Sequence, residues 1–318
     1  MKRPFRFVTP LPVLQPPISA WGDSLRRIED MGFSAVSVSD HLIGGWSMEP
    51  LAALGAAAAL TSRLRLMTLV VNSDLRHPAL LHKSALTVDR ASEGRLELGL
   101  GAGWLADEYR ALGVPFDPPA ERVARFAETV QILKRLFAGE RVVFRGQHHV
   151  IDGLDGAPMP VQRPHPPILL AGGSRSIVEL AGSQADIAGV APVIRADGRN
   201  DVRLEELRPD RVERKLGWLR EAARTAGRQA DVVELQLNPI ATLLEKQPPL
   251  TESWMRDLEG DILSDPLLAM NSPYVLVGSV DQWCDRLIEI RERFGFSCIR
   301  LPGDAAATRP IVERLAGQ

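Results

Sequence analysis

Three apolar, strand-like segments of this chain each end in residues that could hold a ligand. VSVSDH ends at Asp40 and His41, and ILLAGGSRS spans Ile168 to Ser176. The segment from Arg95 to Tyr109, RLELGLGAGWLADEY, breaks into glycines at Gly99, Gly101 and Gly103. Because glycine has no side chain, a ligand can approach the backbone closely at such a strand end. The sequence therefore predicts that several strand ends meet around one bound molecule.

The side chains at these strand ends suit proton transfer and phosphate binding. Imidazole titrates near neutrality, so His41 could donate or accept a proton; a packed histidine after a capping Asp40 is the alternative. In GGSRS, backbone N–H groups at a helix start could bind phosphate, with hydroxyl groups from Ser174 and Ser176 and countercharge from Arg175. An ordinary turn between a strand and a helix would use the same residues.

Strands that alternate with helices must position these residues. Eight apolar runs are typical of strands: Phe5 to Val8, Ala35 to Ser39, Leu64 to Val71, Arg95 to Leu100, Ile168 to Ala171, Ile187 to Val190, Val232 to Leu237 and Cys298 to Leu301. Eight segments have helical spacing: Trp21 to Met31, Pro50 to Thr61, Pro78 to Ala91, Pro119 to Ala138, Ser176 to Gln184, Arg211 to Thr225, Thr251 to Leu263 and Val280 to Phe294. This α/β alternation predicts one (β/α)8 barrel domain, a TIM barrel, over residues 1–318, with a doubly wound sheet as the alternative.

The longest departure from this alternation runs from Trp104 to Pro167. It contains a long amphipathic helix, ERVARFAETVQILKRLFAG, and then RVVFRGQHHVIDG, which predicts a β-hairpin with Arg145 and Gly146 near its turn. This insertion falls between strands 4 and 5 of the barrel, so we expect it to lie over the catalytic face and shape a substrate entrance. A second irregular region, Pro192 to Pro209, is either a lid or a solvated surface loop.

Composition favours a small-molecule protein of the cytoplasm. The formal net charge of -2 over 318 residues gives no basic surface for nucleic acid or for an anionic membrane. Cys284 and Cys298 are the only cysteines, so neither a disulfide framework nor a zinc site is expected, and no HxH pair suggests another metal. The amino terminus lacks the apolar core of a signal peptide, and Leu51 to Leu60 is too short to span a bilayer.

The order and spacing of these segments resemble the luciferase-like monooxygenase family, flavin and deazaflavin oxidoreductases built on a TIM barrel. The resemblance covers Phe5 to Leu301 and is carried by SDHLIGGW, TLVVNSDLRHPALLHKSALTVDRASEGRLELGLGAGWLADEYRALG, ERVARFAETVQILKRLFAGE, PILLAGGSRS and YVLVGSVDQWCDRLIEIRERFG. Within the family the chain is most similar to the branch that uses coenzyme F420 rather than FMN. Relatives commonly form homodimers, so the resemblance implies a homodimer here.

The resemblance implies a role for each candidate residue. The catalytic candidates are His41 beside the reactive ring, as a possible proton donor, Trp46 at the tryptophan that relatives keep just beyond this histidine, and Trp104 as an aromatic wall near the substrate. The resemblance also implies a non-prolyl cis peptide between Leu69 and Val70 behind the ring. It implies cofactor contacts from the following residues: Asp40, His41, Leu69, Val70, Asn72, Gly101, Ala102, Gly103, Asp107, Gly172, Gly173, Ser174, Arg175 and Ser176. Sugar-phosphate dehydrogenases of the family carry acids where this chain has Trp104 and, near the end of strand one, Thr9 and Pro10, so sugar-phosphate oxidation is not expected.

These residues lead to one functional hypothesis and two alternatives. The resemblance implies hydride transfer between F420 and a small or medium organic substrate, with reduction of a C=C or C=N bond, such as that of a dehydroamino acid in a modified peptide. An FMN-dependent monooxygenase is the first alternative, and oxygen uptake during turnover would distinguish it. A non-catalytic flavin-binding relative is the second, and it would bind its ligand equally well after replacement of His41.

Overall fold

The computed structural model describes residues 3–44, 48–193, 202–246 and 256–318. Its strands are β1 (Arg6–Pro10), β2 (Ala35–Val38), β3 (Arg65–Thr68), β4 (Val71–Asn72), β5 (Leu96–Gly101), β6 (Arg141–Arg145), β7 (Val150–Asp155), β8 (Ile168–Gly172), β9 (Ile187–Val190), β10 (Glu234–Leu237), β11 (Ala241–Leu244), β12 (Val275–Gly278) and β13 (Phe296–Arg300). Its helices are α1 (Ile18–Asp30), α2 (Pro50–Leu60), α3 (Pro78–Ala91), α4 (Ala106–Leu112), α5 (Pro119–Phe137), α6 (Arg175–Gln184), α7 (Pro209–Thr225), α8 (Arg256–Ser264), α9 (Pro266–Asn271), α10 (Val280–Phe294) and α11 (Ala305–Leu315).

Nine of these strands form one parallel sheet that closes on itself. The order around the sheet is β1, β2, β3, β5, β8, β9, β10, β13, and β13 pairs again with β1. β3 and β4 share one position, because β3 pairs with the start of β5 and β4 with its end. Closure leaves eight strand positions, which confirms the predicted TIM barrel and rules out the doubly wound sheet. The interruption between β3 and β4 contains the cis peptide predicted between Leu69 and Val70.

Most predicted elements are present with small shifts at their ends, and the structure adds several others. The predicted strand Leu64 to Val71 is interrupted between β3 and β4, and residues 251–255 of one predicted helix lie outside the described residues. α3 and α10 have the predicted bounds, and β9 matches its apolar run. The omitted elements include the parallel pair of β11 and β12 beside the barrel, and the helices α9 and α11. The two added strands are only four residues long, and such short apolar runs carry no periodicity that distinguishes a strand from a loop.

The predicted hairpin is present, but it lies on the flank of the barrel. β6 and β7 pair antiparallel, and Ile132 and Leu136 of α5 pack against Val142 and Ile151 of the hairpin. The carboxylate of Glu128, also on α5, accepts hydrogen bonds from the N–H groups of residues 147–149 at the turn. The hairpin thus buries its apolar face against α5, and the expectation that the whole insertion shapes the substrate entrance stays a prediction.

The barrel interior is built in layers, because every second residue of each strand points inward. The bottom layer is a charged cluster of Arg6, Arg65, Glu97 and Glu234. The middle layer is apolar and contains Val8, Ala35, Met67, Leu169, Ile187 and Cys298. The top layer is mostly small, with Gly101, Ala171 and Gly189. The closed lower layers and the small upper residues leave space at the carboxyl end of the barrel only.

Gly99 allows β3 and β5 to approach each other below this open end. A Cβ atom on Gly99 would overlap the backbone oxygen of Thr68, whose hydroxyl group also bonds to the backbone of Gly99. We expect Gly99→Ala to lower the free energy of unfolding by about 1 to 3 kcal/mol, measured by chemical denaturation. Gly55→Ala is the matched control, since its Cβ would meet nothing closer than 3.9 Å. The control should stabilise α2 by about 0.5 to 1 kcal/mol, and equal effects of the two variants would contradict the prediction.

The helices pack around the barrel, and their apolar faces join the sheet in one large core. Across the ranges that the structure describes, no helix combines the length and apolar character needed to cross a bilayer.

Candidate active site

A cavity of about 680 Å³ opens at the carboxyl end of the barrel strands. Its walls come from the ends of seven strand positions and from the starts of α4 and α5, so distant parts of the chain meet there. Most of the predicted site residues line it: Asp40, His41, Leu69, Val70, Asn72, Gly101, Ala102, Gly103, Trp104, Gly172, Gly173 and Ser174. Pockets at the carboxyl face of such barrels are the usual position of active sites.

Three predicted residues do not line the cavity, and a fourth lies outside the described residues. Asp107 is exposed and pairs with Arg110 on the next turn of α4. The side chains of Arg175 and Ser176 are also exposed, and Arg175 lines a neighbouring groove rather than the cavity. Trp46 lies outside the described residues.

His41 is held by a buried carboxylate that the sequence reading did not select. Its Nδ1 lies 2.9 Å from Oε1 of Glu108, which also accepts the N–H of Leu42 at 2.8 Å. Glu108 is 2% exposed and lies in the first turn of α4. Because a carboxylate only accepts hydrogen bonds, Nδ1 of His41 carries a proton, and Nε2 is the atom through which the ring can exchange one. The edge of Trp104 packs against this ring, with 5.7 Å between the ring centroids.

Asp40 is committed to an ion pair at the edge of the cavity. Its carboxylate accepts three hydrogen bonds from Arg76 and one from the backbone N–H of Asn72. Arg76 also pairs with Glu49, the residue that caps α2. Burial alone would lower the pKa of Arg76, but Asp40 and Glu49 raise it above its ordinary value. Asp40 therefore fixes the strand ends next to His41 and is not available as a proton carrier.

Asn72 continues into a chain of polar side chains behind the cavity wall. Its amide lies 3.4 Å from the hydroxyl oxygen of Tyr109, which donates to Asp74 at 2.9 Å. Asp74 in turn pairs with Arg125 on α5. Burial and the nearby Asp74 raise the pKa of Tyr109 well above its ordinary value, so this hydroxyl group remains protonated. This chain orients the amide of Asn72 at the cavity surface.

The glycine-rich bend after β5 is held from behind by Arg122. This arginine is on α5, is 5% exposed, and donates to the backbone oxygens of Ala102, Gly103 and Asp117. Gly103 has φ of +71°, and a Cβ atom there would overlap the hydroxyl oxygen of Tyr109. The bend therefore requires glycine at this position for both its dihedral angle and its packing. Nothing in the sequence pattern singles out Arg122, since an arginine on a long helix usually faces solvent.

The turn between β8 and α6 has the free donors that phosphate binding needs. The hydroxyl group of Ser174 accepts the N–H of Ile177 and so caps the helix. Within the described residues, the N–H groups of Arg175 and Ser176 have no hydrogen-bond acceptor. Gly172, Gly173 and Ser174 bring this helix start to the cavity wall. A phosphate group at this position would accept both N–H groups and interact favourably with the helix dipole.

Polar side chains also form the cavity floor. They are Gln236 and Asn238 from the end of β10 and Arg300 from the end of β13. All the site residues predicted from the sequence precede β9, so these three were not among them. Among the residues described, no group of three histidine, cysteine or acidic side chains could hold a metal ion, and the two cysteines are buried free thiols.

Comparison with known proteins relates this geometry to one family. A family model described as luciferase-like monooxygenase matches residues 5–298. The F420-dependent glucose-6-phosphate dehydrogenase of Beutenbergia cavernae is 36% identical over 167 residues, which are 50% of this chain and 48% of that protein. The FMNH(2)-dependent dimethylsulfone monooxygenase of Pseudomonas putida is 30% identical over 131 residues, 41% of this chain and 36% of that protein. The matches thus span less than half the length of these two relatives.

Among solved structures, the monooxygenase RslO1 from Streptomyces bottropensis is similar along nearly the whole chain. It superimposes with a TM-score of 0.71 and 27% identity, over 98% of this chain and 97% of that one. The fold of this chain is therefore shared with a protein that is described as a monooxygenase.

Proposed function

We propose, since this chain belongs to the luciferase-like monooxygenase family, that it is an oxidoreductase that transfers a hydride between coenzyme F420 and a C=C or C=N bond of an organic substrate. The observation that carries this proposal is the convergence of three features on one cavity. They are the helix start with free N–H groups at Ser174, the glycine-rich bend at Gly101 to Gly103, and the His41–Glu108 pair.

The arrangement of these features suits a flavin-like molecule. The turn at Gly172 to Ser174 would hold its phosphate, and the bend at Gly101 to Gly103 would contact its middle section. Val70 and Asn72 would face the ring, with the amide of Asn72 as donor and acceptor to the polar ring edge. When bound, the reduced deazaflavin supplies the hydride, which is two electrons and one hydrogen nucleus. The protein positions the substrate, excludes water and controls one proton.

His41 is the proposed proton donor for the reduction of a double bond. Reduction of C=C to CH–CH needs one hydride at one carbon and one proton at the other, so the balance is complete with a single proton from the protein. Glu108 holds Nδ1 of His41, which leaves Nε2 as the atom that delivers the proton. Glu108 is a positioning residue, because its hydrogen bond to Nδ1 orients the imidazole.

A basic groove beside the phosphate-binding turn favours F420 over FMN. Arg175, Arg211 and Arg214 line this groove, which begins at Gly173 and Ser174. FMN ends at its phosphate, whereas F420 continues beyond it into a chain of glutamate residues. Arg211 and Arg214 suit such an acidic chain, whereas FMN would place no acidic group beyond the phosphate for them to contact.

The FMN-dependent monooxygenase is the second candidate, and the similarity to the dimethylsulfone monooxygenase favours it. A monooxygenase would consume oxygen when supplied with reduced FMN and substrate. The F420-dependent enzyme would oxidise reduced F420 without oxygen. Anaerobic turnover therefore separates the two functions.

We predict that the protein binds F420 more tightly than FMN, as measured by fluorescence titration. The double variant Arg211→Ser, Arg214→Ser should weaken F420 binding about tenfold, because two partly exposed ion pairs would be lost. The matched control ligand is F420 without its glutamate residues, whose affinity should not change. Tighter binding of FMN by the wild-type protein would overturn the F420 assignment. If the double variant lost the same affinity for both forms of F420, the groove would not be the site that binds the acidic chain.

A further inference from the structure

The floor of the cavity carries hydrogen-bond donors that the cofactor contacts proposed above do not use. Gln236 and Arg300 are 2% and 7% exposed, and both side chains line the cavity together with Asn238. β10 and β13 are neighbours in the barrel, and Gln236 pairs in register with Cys298, so Arg300 lies one inward position higher. The two side chains therefore belong to adjacent inward layers of the same wall.

Arg300 reaches across the floor rather than out to solvent. Its Nε lies 3.3 Å from the hydroxyl oxygen of Ser37 on β2, and its Nη1 lies 3.3 Å from Oδ1 of Asn238. β1 separates β13 from β2 in the sheet, so the guanidinium group extends over β1. In register, Arg300 pairs with Val8 of β1, whereas Pro10 of β1 pairs with Ser37. The guanidinium group thus lies at the cavity floor, in contact with Ser37 and Asn238.

Gln236 provides an independent observation that points to a ligand. Its Nε2 is buried and has no hydrogen-bond partner among the residues that the structure describes. A buried amide donor without a partner costs about 1 to 3 kcal/mol, so such a group is usually satisfied by water or by a bound molecule. Because Gln236 lines the cavity, a molecule in the cavity can accept this hydrogen bond.

We propose that Arg300 and Gln236 form a subsite for a carboxylate group of the substrate. The forked guanidinium group matches the planar carboxylate, and Nε2 of Gln236 provides a further donor from the neighbouring strand. This inference rests on the proposed function for the reaction that follows binding. Together, the subsite and the proposed reaction define the substrate class as an unsaturated acid, such as a dehydroamino acid with a free carboxylate. The floor of the cavity would hold the carboxylate, and His41 lines the wall.

The test uses calorimetric titration of the cofactor-free protein with 2-acetamidoacrylate, the simplest N-acylated dehydroamino acid, and with its uncharged methyl ester. We expect the acid to bind at least about tenfold more tightly than the ester, because only the acid pairs with Arg300. Arg300→Met, which keeps the length of the side chain, should weaken binding of the acid at least about 30-fold and leave the ester unchanged. Arg300→Lys should recover part of the loss. Gln236→Leu should weaken binding about threefold to tenfold.

The outcomes separate this subsite from the cofactor site. The unfolding midpoint of each variant reports on folding, and Gln236→Leu provides a second test if Arg300→Met does not fold. Three results would each overturn the proposal. They are no binding of the acid, equal binding of the acid and the ester, and a loss of F420 affinity in Arg300→Met at unchanged affinity for the acid. Binding of the acid without any binding of F420 would support the subsite and overturn the proposed function.

Discussion

Replacing His41 with glutamine is expected to lower turnover by about 100-fold to 10,000-fold while F420 still binds. Glutamine keeps a polar side chain that can accept or donate a hydrogen bond, but it cannot exchange a proton near neutral pH. The measurement is the oxidation of reduced F420 by 2-acetamidoacrylate under anaerobic conditions, followed by absorbance, with a separate titration of F420. The reduction of the acid would then lack its proton donor, whereas the hydride donor would remain in place.

Two comparisons make this result specific. His77→Asn is the matched control, because His77 is exposed and caps α3, where asparagine is also a favourable residue. Its turnover should equal that of the wild-type protein. The turnover of Glu108→Gln should lie between those of His41→Gln and His77→Asn. This variant keeps the packing around His41 but removes the carboxylate that orients the imidazole. Unchanged turnover in His41→Gln would exclude His41 as the proton donor and would leave it as a packing residue of the cavity wall.

The second large effect is expected on stability, at the opposite end of the barrel. Glu97 is buried and accepts hydrogen bonds from Arg6 and Arg65, and Arg6 also pairs with Glu234. Glu97→Gln would leave two largely buried guanidinium groups with one carboxylate. We expect the free energy of unfolding to fall by about 3 to 5 kcal/mol, measured by chemical denaturation. Glu313→Gln is the matched control, because it removes a carboxylate from an exposed pair with Arg309 and should change stability little.

The same carboxylate predicts a dependence of stability on pH. Burial alone would raise the pKa of Glu97, but Arg6 and Arg65 outweigh burial and hold the pKa below its ordinary value. A carboxyl group with a lowered pKa in the folded state stabilises the fold fully above its unfolded pKa of about 4.3. This contribution is lost as the pH falls through the lowered folded pKa. The wild-type protein should therefore lose more stability on acidification than Glu97→Gln, and parallel pH profiles would contradict this assignment.

These two predictions concern different layers of one barrel, which explains how the fold separates stability from function. The lower layers are filled with a charged cluster and apolar side chains, so they contribute to packing and leave no room for a ligand. The upper layer contains small residues and polar groups at the strand ends. Substitutions below should change unfolding, and substitutions above should change binding or turnover.

The sequence by itself determined the elements and much of the candidate site. Apolar runs alternating with helical spacing define local backbone preferences, and these were sufficient to predict eight strand positions and the closed barrel. Glycine breaks at the ends of β5 and β8 also depend on local backbone geometry. Because parallel strands all end at the same face of a barrel, these breaks predict that Gly101 to Gly103 and Gly172 to Ser174 share one site, and both groups line the cavity.

Only the tertiary structure decided which neighbouring side chain faces the cavity. Asp107 and Glu108 are adjacent acids in the first turn of α4, and the docking of this helix directs Glu108 to His41 and Asp107 to solvent. The same applies to Gln236 and Arg300, which are far apart in sequence and meet through the register of β10 and β13. A shift of one residue in a strand reverses the direction of its side chains, and the sequence pattern of a short strand does not fix its register that closely. Long-range packing therefore determines that Glu108, Gln236 and Arg300 belong to the site.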